Sequence, residues 1–318
     1  ISLRIGTQYL VEHILLSARR RTLKEWFDAY RPETGRIHGR INPLGARSHR
    51  CTHSNPNTGN IAAKKSIKYS SEYLRKLAVD LGGRMRSLWG TPEGSWLIGT
   101  DMEGAHLRIF AHLINDKKFI EALVSGKKED GTDPHTKNKH ILGDVCVDRD
   151  RAKTFIFTFL NGGGGSKVGE IFGCTSQVAQ EALHTFTGAY PGLKHLKRSV
   201  YPRDAKRGYF IGLDGRYVKC DSEHLMMAMV LQNAEALIMK YAIRMFRDRM
   251  KKEYPSIKWF FVGFVHDEVL CEVAGSKEEA QLCGKIQAEC ITKVGEMFNL
   301  RCPLAGEYKV ARNWLDAH

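Results

Sequence analysis

The sequence lacks the features that identify membrane-spanning, secreted and zinc-ribbon proteins. Within its 318 residues, no window approaches the roughly 18 uninterrupted apolar residues of a membrane span. Glu12 and His13 interrupt the first apolar stretch and no small-residue cleavage site follows, which argues against a signal peptide. The eight cysteines form no CxxC pair, so neither a zinc ribbon nor a disulfide framework is expected. We therefore expect no membrane partner and a cytoplasmic location.

Acidic residues are scarce compared with basic ones. Lysine and arginine number 49 against 35 aspartates and glutamates, which gives a formal net charge of +14. Such a charge favours a polyanionic partner, with nucleic acid first and an acidic membrane surface second. Because 42% of the residues are hydrophobic, a disordered chain is excluded. The first residue, Ile1, is not an initiator methionine, which predicts a fragment or a processed product.

Two common functional motifs are also missing. The segment GGGGSK does not match GxxxxGK[ST], so no Walker phosphate-binding loop is present. The segment HTKNKH does not match HExxH, so no zinc-protease helix is expected. These absences exclude nucleotide-binding enzymes of the Walker type and zinc proteases of the HExxH type.

Strands and helices are predicted in no regular alternation, which favours an α+β fold. The apolar spacing predicts helices over residues 7–29, 149–160 and 225–249, and strands over 96–101, 259–265 and 269–273. A turn-rich hairpin is predicted over 208–220, and a polar, basic surface excursion over 64–76. Ser276 and Glu279 form the capping-box pattern that opens the last helix.

Two acidic positions follow apolar segments. Asp101 ends the predicted strand 96–101, where a helix N-cap is the simpler interpretation. Asp267 lies in the turn His266-Asp267-Glu268 between two apolar strands, where an ordinary acidic turn is the simpler interpretation. Carboxylates beside a buried sheet need compensation, however, and a divalent cation would supply it. The pair is therefore also a candidate two-metal site for phosphoryl transfer, and its oxygen ligands suit magnesium.

The helix predicted over 149–160 carries two stripes. An apolar stripe faces a core, and a second stripe repeats every four residues through Arg149, Lys153, Phe157 and Asn161. Cations in the first half of a helix oppose its dipole, and an anionic ligand such as phosphate would turn that cost into attraction. Alternatively, the neighbouring acids Asp148 and Asp150 neutralise the arginines.

Together these segments resemble the family A DNA polymerases, of the DNA polymerase I type, and in particular the branch of the short-tailed phage replicases. DMEGAHLRIFAHL (101–113) and VHDE (265–268) match the two palm motifs, and RDRAKTFIFTFLNGGG (149–164) matches the fingers motif. Weaker matches, in the family's order, are HGRINPLG (38–45), DPHTKNK (133–139), GLDGR (212–216) and LQNAEALI (231–238).

The resemblance implies a right-hand polymerase architecture, with an antiparallel palm sheet flanked by helices and a helical fingers subdomain. Residues 1–30 would be the C-terminal remnant of a thumb, 31–113 and 225–318 the palm, and 114–224 the fingers. Most of the thumb and any proofreading exonuclease would lie upstream. The resemblance also implies primer–template DNA and deoxynucleoside triphosphates as partners, accessory replication proteins beside them, and a bacterial or phage-infected cell as the setting.

The resemblance further implies a role for each matching residue. Asp101 and Asp267 would ligate two Mg²⁺ ions, with help from the carbonyl of Met102. The residues that would bind the nucleotide are His135, Arg149, Lys153, Phe157 and His106, with Lys153 also counted as catalytic. The residues that would contact the DNA are Arg50, Gln232, His266 and Glu268. For Gln232, a buried and hydrogen-bonded amide is the alternative interpretation.

Three departures from the family pattern bear on function. His106 replaces the glutamate that usually screens the sugar 2′ position, Asn161 replaces an aromatic, and PNTGNIA (56–62) replaces PNLQNIP. A single-subunit RNA polymerase-like enzyme and a catalytically silent DNA-binding fragment remain as alternatives. The first would normally carry a tyrosine-glycine pair where Asn161-Gly162 stands. The second would have no need of two acids facing phosphate.

Overall fold

The computed structural model describes residues 2–61 and 71–318. Its helices are α1 (Ser2–Ala29), α2 (Glu72–Ser87), α3 (Ala105–Ile114), α4 (Lys117–Ser125), α5 (Pro134–Leu142), α6 (Arg149–Leu160), α7 (Gly165–Phe172), α8 (Ser176–Ala189), α9 (Pro191–His195), α10 (Tyr201–Arg207), α11 (Glu223–Glu253) and α12 (Lys277–Met297). Its strands are β1 (Tyr30–Arg31), β2 (Arg36–Ile37), β3 (Arg40–Asn42), β4 (Thr52–Ser54), β5 (Ser95–Met102), β6 (Tyr209–Ile211), β7 (Tyr217–Lys219), β8 (Trp259–Val265), β9 (Glu268–Ala274) and β10 (Gly306–Ala311).

The main sheet is antiparallel and has the strand order β10-β5-β9-β8. Strand β9 is buried from Glu268 to Val273, which explains its near-continuous apolar sequence. The expectation that both apolar strands of this hairpin belong to a buried sheet is wrong for β8, where Phe260 is 53% exposed. β8 forms the edge of the sheet and pairs on one side only, and its successive residues Phe260, Phe261 and Val262 are all exposed.

Helices cover the sheet and create its main core. Helix α12 contacts β5 and β10, and the long helix α11 packs on α12 and α3. The predicted capping box is confirmed, because Ser276 Oγ accepts from Glu279 N and Glu279 Oε2 accepts from Ser276 N. The predicted hairpin over 208–220 is also confirmed as β6 paired with β7. The mixture of an antiparallel sheet and many helices is the predicted α+β fold.

A second, smaller core lies where the N-terminal helix meets the sheet. Trp26 of α1 packs edge-on against Trp89, with ring centroids 5.1 Å apart, and both belong to a cluster with Leu97, Leu270 and Trp314. Helix α2 contributes Met85 to this cluster. The predicted surface excursion over 64–76 is a helix from Glu72 onwards, and its residues 64–70 lie outside the described residues.

Helix α6 has the bounds that the sequence predicts, and its apolar stripe is buried. Asp148 begins the helix by accepting a hydrogen bond from Arg151 N at 2.7 Å. The buried residues of the stripe are Ala152, Phe155, Ile156, Phe159 and Leu160. The second stripe runs beside it, and its members Lys153 and Phe157 are exposed.

The described residues contain no helix that is both long enough and apolar enough to span a membrane. All eight cysteines are free, and six of them are buried.

Candidate active site

Asp101 lies inside strand β5 and does not cap a helix. The strand continues to Met102, and the N-cap of α3 is Gly104, whose left-handed φ of 57° turns the chain into the helix. The N-cap interpretation of Asp101 is therefore wrong. In the sheet, Asp101 pairs with Glu268 of β9 on one side and with Glu307 of β10 on the other.

Asp267 lies beside Asp101 in space, although 166 positions separate the two in sequence (267 − 101). The β8–β9 turn places it there: His266 adopts a left-handed φ of 59°, and the chain reverses at Asp267. The amide of Met102 donates to the carbonyl oxygen of Asp267 at 3.3 Å and to Oδ1 of Asp101 at 3.0 Å. One backbone amide thus joins the two acidic residues.

The surroundings of both acids disfavour their ionised forms. Burial raises the pKa of Asp101 to about 8, with further increases from the negative charges of Asp267, Glu268 and Glu307. Burial also raises the pKa of Asp267 to about 6, and the charge of Glu235 adds to that rise. Two partly buried carboxylates that repel each other are the electrostatic setting that a bound cation relieves.

The donor set fits a hard divalent ion that shares its ligands with a substrate. Among residues 2–61 and 71–318, no group of three or more histidine, cysteine, aspartate or glutamate side chains could hold a metal alone. Magnesium is commonly held by one or two carboxylates, with substrate phosphates and water completing its octahedron. Asp101 and Asp267 supply that number of carboxylates, and Met102 lies directly beside them in the strand.

Glu268 is fixed in place by the end of the chain. Its side chain is buried, its Oε1 accepts from Trp314 Nε1 at 2.8 Å, and its Oε2 lies 3.2 Å from His318 Nδ1. Beside it, burial lowers the pKa of His266, and the cation of Arg50 lowers it further. The structure thus places both predicted DNA-contacting residues of the turn next to Asp267, and sequence reasoning missed Trp314 and His318.

The second stripe of α6 combines cations with an aromatic ring. Lys153 and Phe157 are exposed, and Lys153 makes no ion pair with any described residue. His135 of α5 lies beside Phe157, with ring centroids 6.3 Å apart, and its Nδ1 is buried without a described partner. Burial lowers the pKa of His135, and Arg149 lowers it further, so the ring is neutral at pH 7.

Arg149 is held by an acid that the sequence reasoning did not single out. Its Nε lies 3.0 Å and its Nη2 2.9 Å from Asp133 Oδ1. Burial alone would raise the pKa of Asp133, but hydrogen bonds from Arg149 and Thr136 lower it to about 2. The acid closest to Arg149 is therefore Asp133 at the N-cap of α5, whereas Asp150 approaches Arg149 only to 3.8 Å. The predicted neutralisation by neighbouring acids is seen in the pair of Asp148 with Arg151, at 3.5 Å.

Arg50 and His106 meet at a buried glutamate. Arg50 Nε and Nη2 donate to Oε1 and Oε2 of Glu235 at 2.9 and 2.7 Å, and His106 Nε2 lies 2.8 Å from the same Oε2. Glu235 was missed because it stands on a helix whose neighbouring positions are apolar. Gln232 lies one turn earlier on α11 and is half-buried, so the interpretation as a fully buried amide is wrong.

Comparisons with known proteins place the chain in a family. The family model described as DNA polymerase family A matches residues 6–316. The DNA-directed DNA polymerases of Enterobacteria phage T3 and Escherichia phage T7 are each 30% identical over 93% of this chain, and the thermostable DNA polymerase I of Thermus aquaticus is 26% identical over 97%. The chain spans 43% of the length of each of the two phage relatives.

A solved structure shares the fold. The POL domain of Pol1 from M. smegmatis, in complex with DNA primer-template and dNTP, matches 98% of this chain with a TM-score of 0.79 and 21% sequence identity, and the match covers 53% of that structure's chain. At this identity the likeness establishes the right-hand fold alone. On the family match, which extends over nearly the whole sequence, the chain belongs to DNA polymerase family A.

Proposed function

We propose that this protein is a template-directed DNA polymerase that adds deoxynucleotides to a primer 3′-hydroxyl and releases pyrophosphate. The observation that carries the proposal is the side-by-side placement of Asp101 and Asp267 through the amide of Met102. Members of family A are metal-dependent enzymes, and the phage relatives are named as DNA-directed DNA polymerases.

Asp101 and Asp267 would hold two Mg²⁺ ions, and the carbonyl of Met102 would assist. When bound, the ions lower the pKa of the primer hydroxyl and neutralise charge on the triphosphate. The raised pKa values of both acids support this assignment, because the two carboxylates are stable together as anions only beside a cation. The Glu268 side chain, anchored by Trp314, keeps the turn that carries Asp267 in register with β5.

The second stripe of α6 would hold the triphosphate. Lys153 is free to contact phosphate oxygens as a point charge, and the Arg149 guanidinium keeps a fixed direction through Asp133. Neutral His135 would form a hydrogen bond to a phosphate or leaving-group oxygen. Phe157, exposed beside His135, would pack against the sugar and base of the incoming nucleotide.

Primer–template DNA would lie against the basic surface next to the carboxylate pair. The net charge of +14 favours such a polyanion without specifying its sequence. Gln232 and Arg50 would face the minor groove, where acceptors common to all base pairs permit sequence-independent contacts. His266 and Glu268 would support the primer end from the β8–β9 turn.

In this proposal residues 31–113 and 225–318 form the palm, 114–224 the fingers and 1–30 the end of a thumb. The eight free cysteines fit the reducing cytoplasm of a bacterium or a phage-infected cell. Accessory replication proteins would be further partners.

A primer-extension assay on a DNA template tests the proposal. We expect extension with deoxynucleoside triphosphates that requires Mg²⁺ and stops when EDTA is added. Extension with ribonucleotides but not with deoxynucleotides would support the RNA polymerase alternative, which His106 keeps relevant because it replaces the glutamate that usually screens the sugar 2′ position. Duplex binding without any extension would support the silent DNA-binding alternative and contradict the proposal.

A further inference from the structure

A buried cluster of three polar side chains lies beside the carboxylate pair. It consists of Arg50, from the loop before β4, His106, from the first turn of α3, and Glu235, from the middle of α11. Glu235 is 1% exposed, and the side chains of Arg50 and His106 are 17% and 15% exposed. The cluster therefore has a buried acidic centre with two basic groups closer to solvent.

The geometry assigns the protons within the cluster. Oε2 of Glu235 is 2.7 Å from Arg50 Nη2 and 2.8 Å from His106 Nε2, so it accepts from both. His106 must then carry its proton on Nε2. The 3.2 Å approach of Arg50 Nη2 to His106 Nε2 follows from their sharing one acceptor oxygen. Rotation of the His106 ring would break its hydrogen bond to Glu235.

Helix α11 also holds the loop that carries Arg50. Asn233 Nδ2 donates to the carbonyl oxygen of Ser48 at 3.2 Å, and Lys240 Nζ donates to the carbonyl oxygens of Pro43 and His49. With the Arg50–Glu235 pair, these contacts fix the loop along two turns of the helix. The cluster is thus held rigidly against α11 and is not a set of mobile surface charges.

The cluster borders Asp267. The charges of Glu235, His106 and Arg50 all act on Asp267, and those of Arg50, Glu235 and His106 act on His266. His106 follows Asp101 by five residues, at the start of the helix that β5 leads into. In the proposed function the triphosphate lies between the carboxylates and α6, so the sugar attached to its α-phosphate would lie next to this cluster.

Stability alone is a poor reason for a buried carboxylate here. The neighbouring helix positions Ala234, Ala236 and Leu237 are all buried. Replacing a whole buried ion pair with well-packed apolar residues is often neutral or stabilising, because it avoids the desolvation that the pair must offset. A buried pair that fixes the direction of other groups has a different use, namely conformational specificity.

We propose that Glu235 is a positioning residue that holds the His106 ring against the sugar of the incoming nucleotide, and so sets the preference for deoxy- over ribonucleotides. This inference rests on the proposed polymerase function. Deoxy- and ribonucleotides differ by one hydroxyl group at the sugar 2′ position. A ring that cannot rotate excludes that group by contact, whereas a mobile ring makes room for it.

The experiment compares kcat/KM for a deoxynucleotide with that for the matching ribonucleotide in primer extension. We expect His106→Ala and Glu235→Ala each to reduce the deoxy/ribo ratio by on the order of tenfold. In the variant that combines His106→Ala with Glu235→Ala, the deoxy/ribo ratio should fall no further than in His106→Ala alone, because both changes remove the contact of a fixed His106 ring with the sugar. Glu223→Ala, an exposed glutamate on the same helix, is the control and should leave the ratio unchanged.

Glu235→Gln is a more conservative variant that tests the inference even if Glu235→Ala does not fold. Glutamine keeps one acceptor oxygen for two donors and loses the charge, so we expect a smaller fall in the ratio, of about threefold. An unchanged deoxy/ribo ratio in both Glu235 variants, or equal losses of kcat/KM for the two nucleotides, would overturn the inference. If Glu235→Ala does not fold, the result for Glu235→Gln decides alone. Failure of the unmodified protein to extend with either nucleotide would instead refute the proposed function, and the inference with it.

Discussion

Replacing Asp101 with asparagine should stabilise the metal-free protein at alkaline pH while abolishing its activity. The pKa of Asp101 in the folded protein, about 8, lies above its ordinary value of 3.8. Folding therefore takes up a proton between these pH values. The contribution of Asp101 to stability is fully present below about pH 4 and is lost as the pH rises through 8. Asparagine cannot ionise and avoids that loss.

The size of the effect follows from the pKa difference. One pKa unit corresponds to about 1.4 kcal/mol of free energy of unfolding. Even if local rearrangement relieves most of the shift, Asp101→Asn should gain at least about 1.4 kcal/mol at pH 8, which raises Tm by about 2–4 °C. At pH 3.5, below the ordinary pKa of 3.8, the Asp101 carboxyl is protonated in the folded protein and largely protonated in the unfolded chain, so the two proteins should have nearly equal Tm.

Thermal unfolding in EDTA at pH 3.5 and pH 8 measures this difference. Glu170→Gln, which removes an exposed carboxylate on α7, is the control and should change Tm by the same small amount at both pH values. The reasoning would be refuted if Asp101→Asn had a lower Tm than the unmodified protein at pH 8, or if it changed Tm by the same amount at both pH values. Either result would show that burial and repulsion do not act on Asp101 as argued.

Three further predictions concern nucleotide binding, DNA binding and the core. Lys153→Ala should raise the KM for deoxynucleotides by about tenfold, as expected for one lost charge-assisted contact, whereas Lys167→Ala on α7 should leave it unchanged. DNA affinity, measured by fluorescence anisotropy, should fall by roughly 10³-fold or more between 50 and 200 mM salt if six or more phosphates are contacted; a salt-insensitive complex would contradict binding through basic side chains. Phe155→Ala should cost about 3–5 kcal/mol in urea unfolding because its ring is fully buried, and Phe260→Ala on the exposed edge strand should cost far less.

Features encoded by neighbouring residues could be predicted from the sequence. Helix α6 has its predicted bounds because its apolar stripe and the Asp148 cap are both local. The β8–β9 hairpin was likewise visible as two apolar segments around a short polar turn. Helix α2 was missed, because Gly82 and Gly83 weaken its helical pattern and its apolar side is narrow.

Contacts between distant parts of the chain were beyond prediction from local patterns. The Arg50–Glu235 pair joins residues 185 positions apart, and Trp314 reaches Glu268 across 46 positions. Local propensity contains no information on such pairings. Asp101 shows the same limit, because strand end and helix cap have similar local sequences and only the register with β9 and β10 distinguishes them.

The pairing of Asp101 and Asp267 as one metal-binding centre is tested most directly by Asp267→Asn in single-turnover primer extension with Mg²⁺, with duplex binding measured on the same preparation. We expect extension to be abolished, while the affinity for duplex DNA is unchanged or higher because one negative charge has been removed. Extension at the rate of the unmodified protein would contradict the assignment of this carboxylate pair.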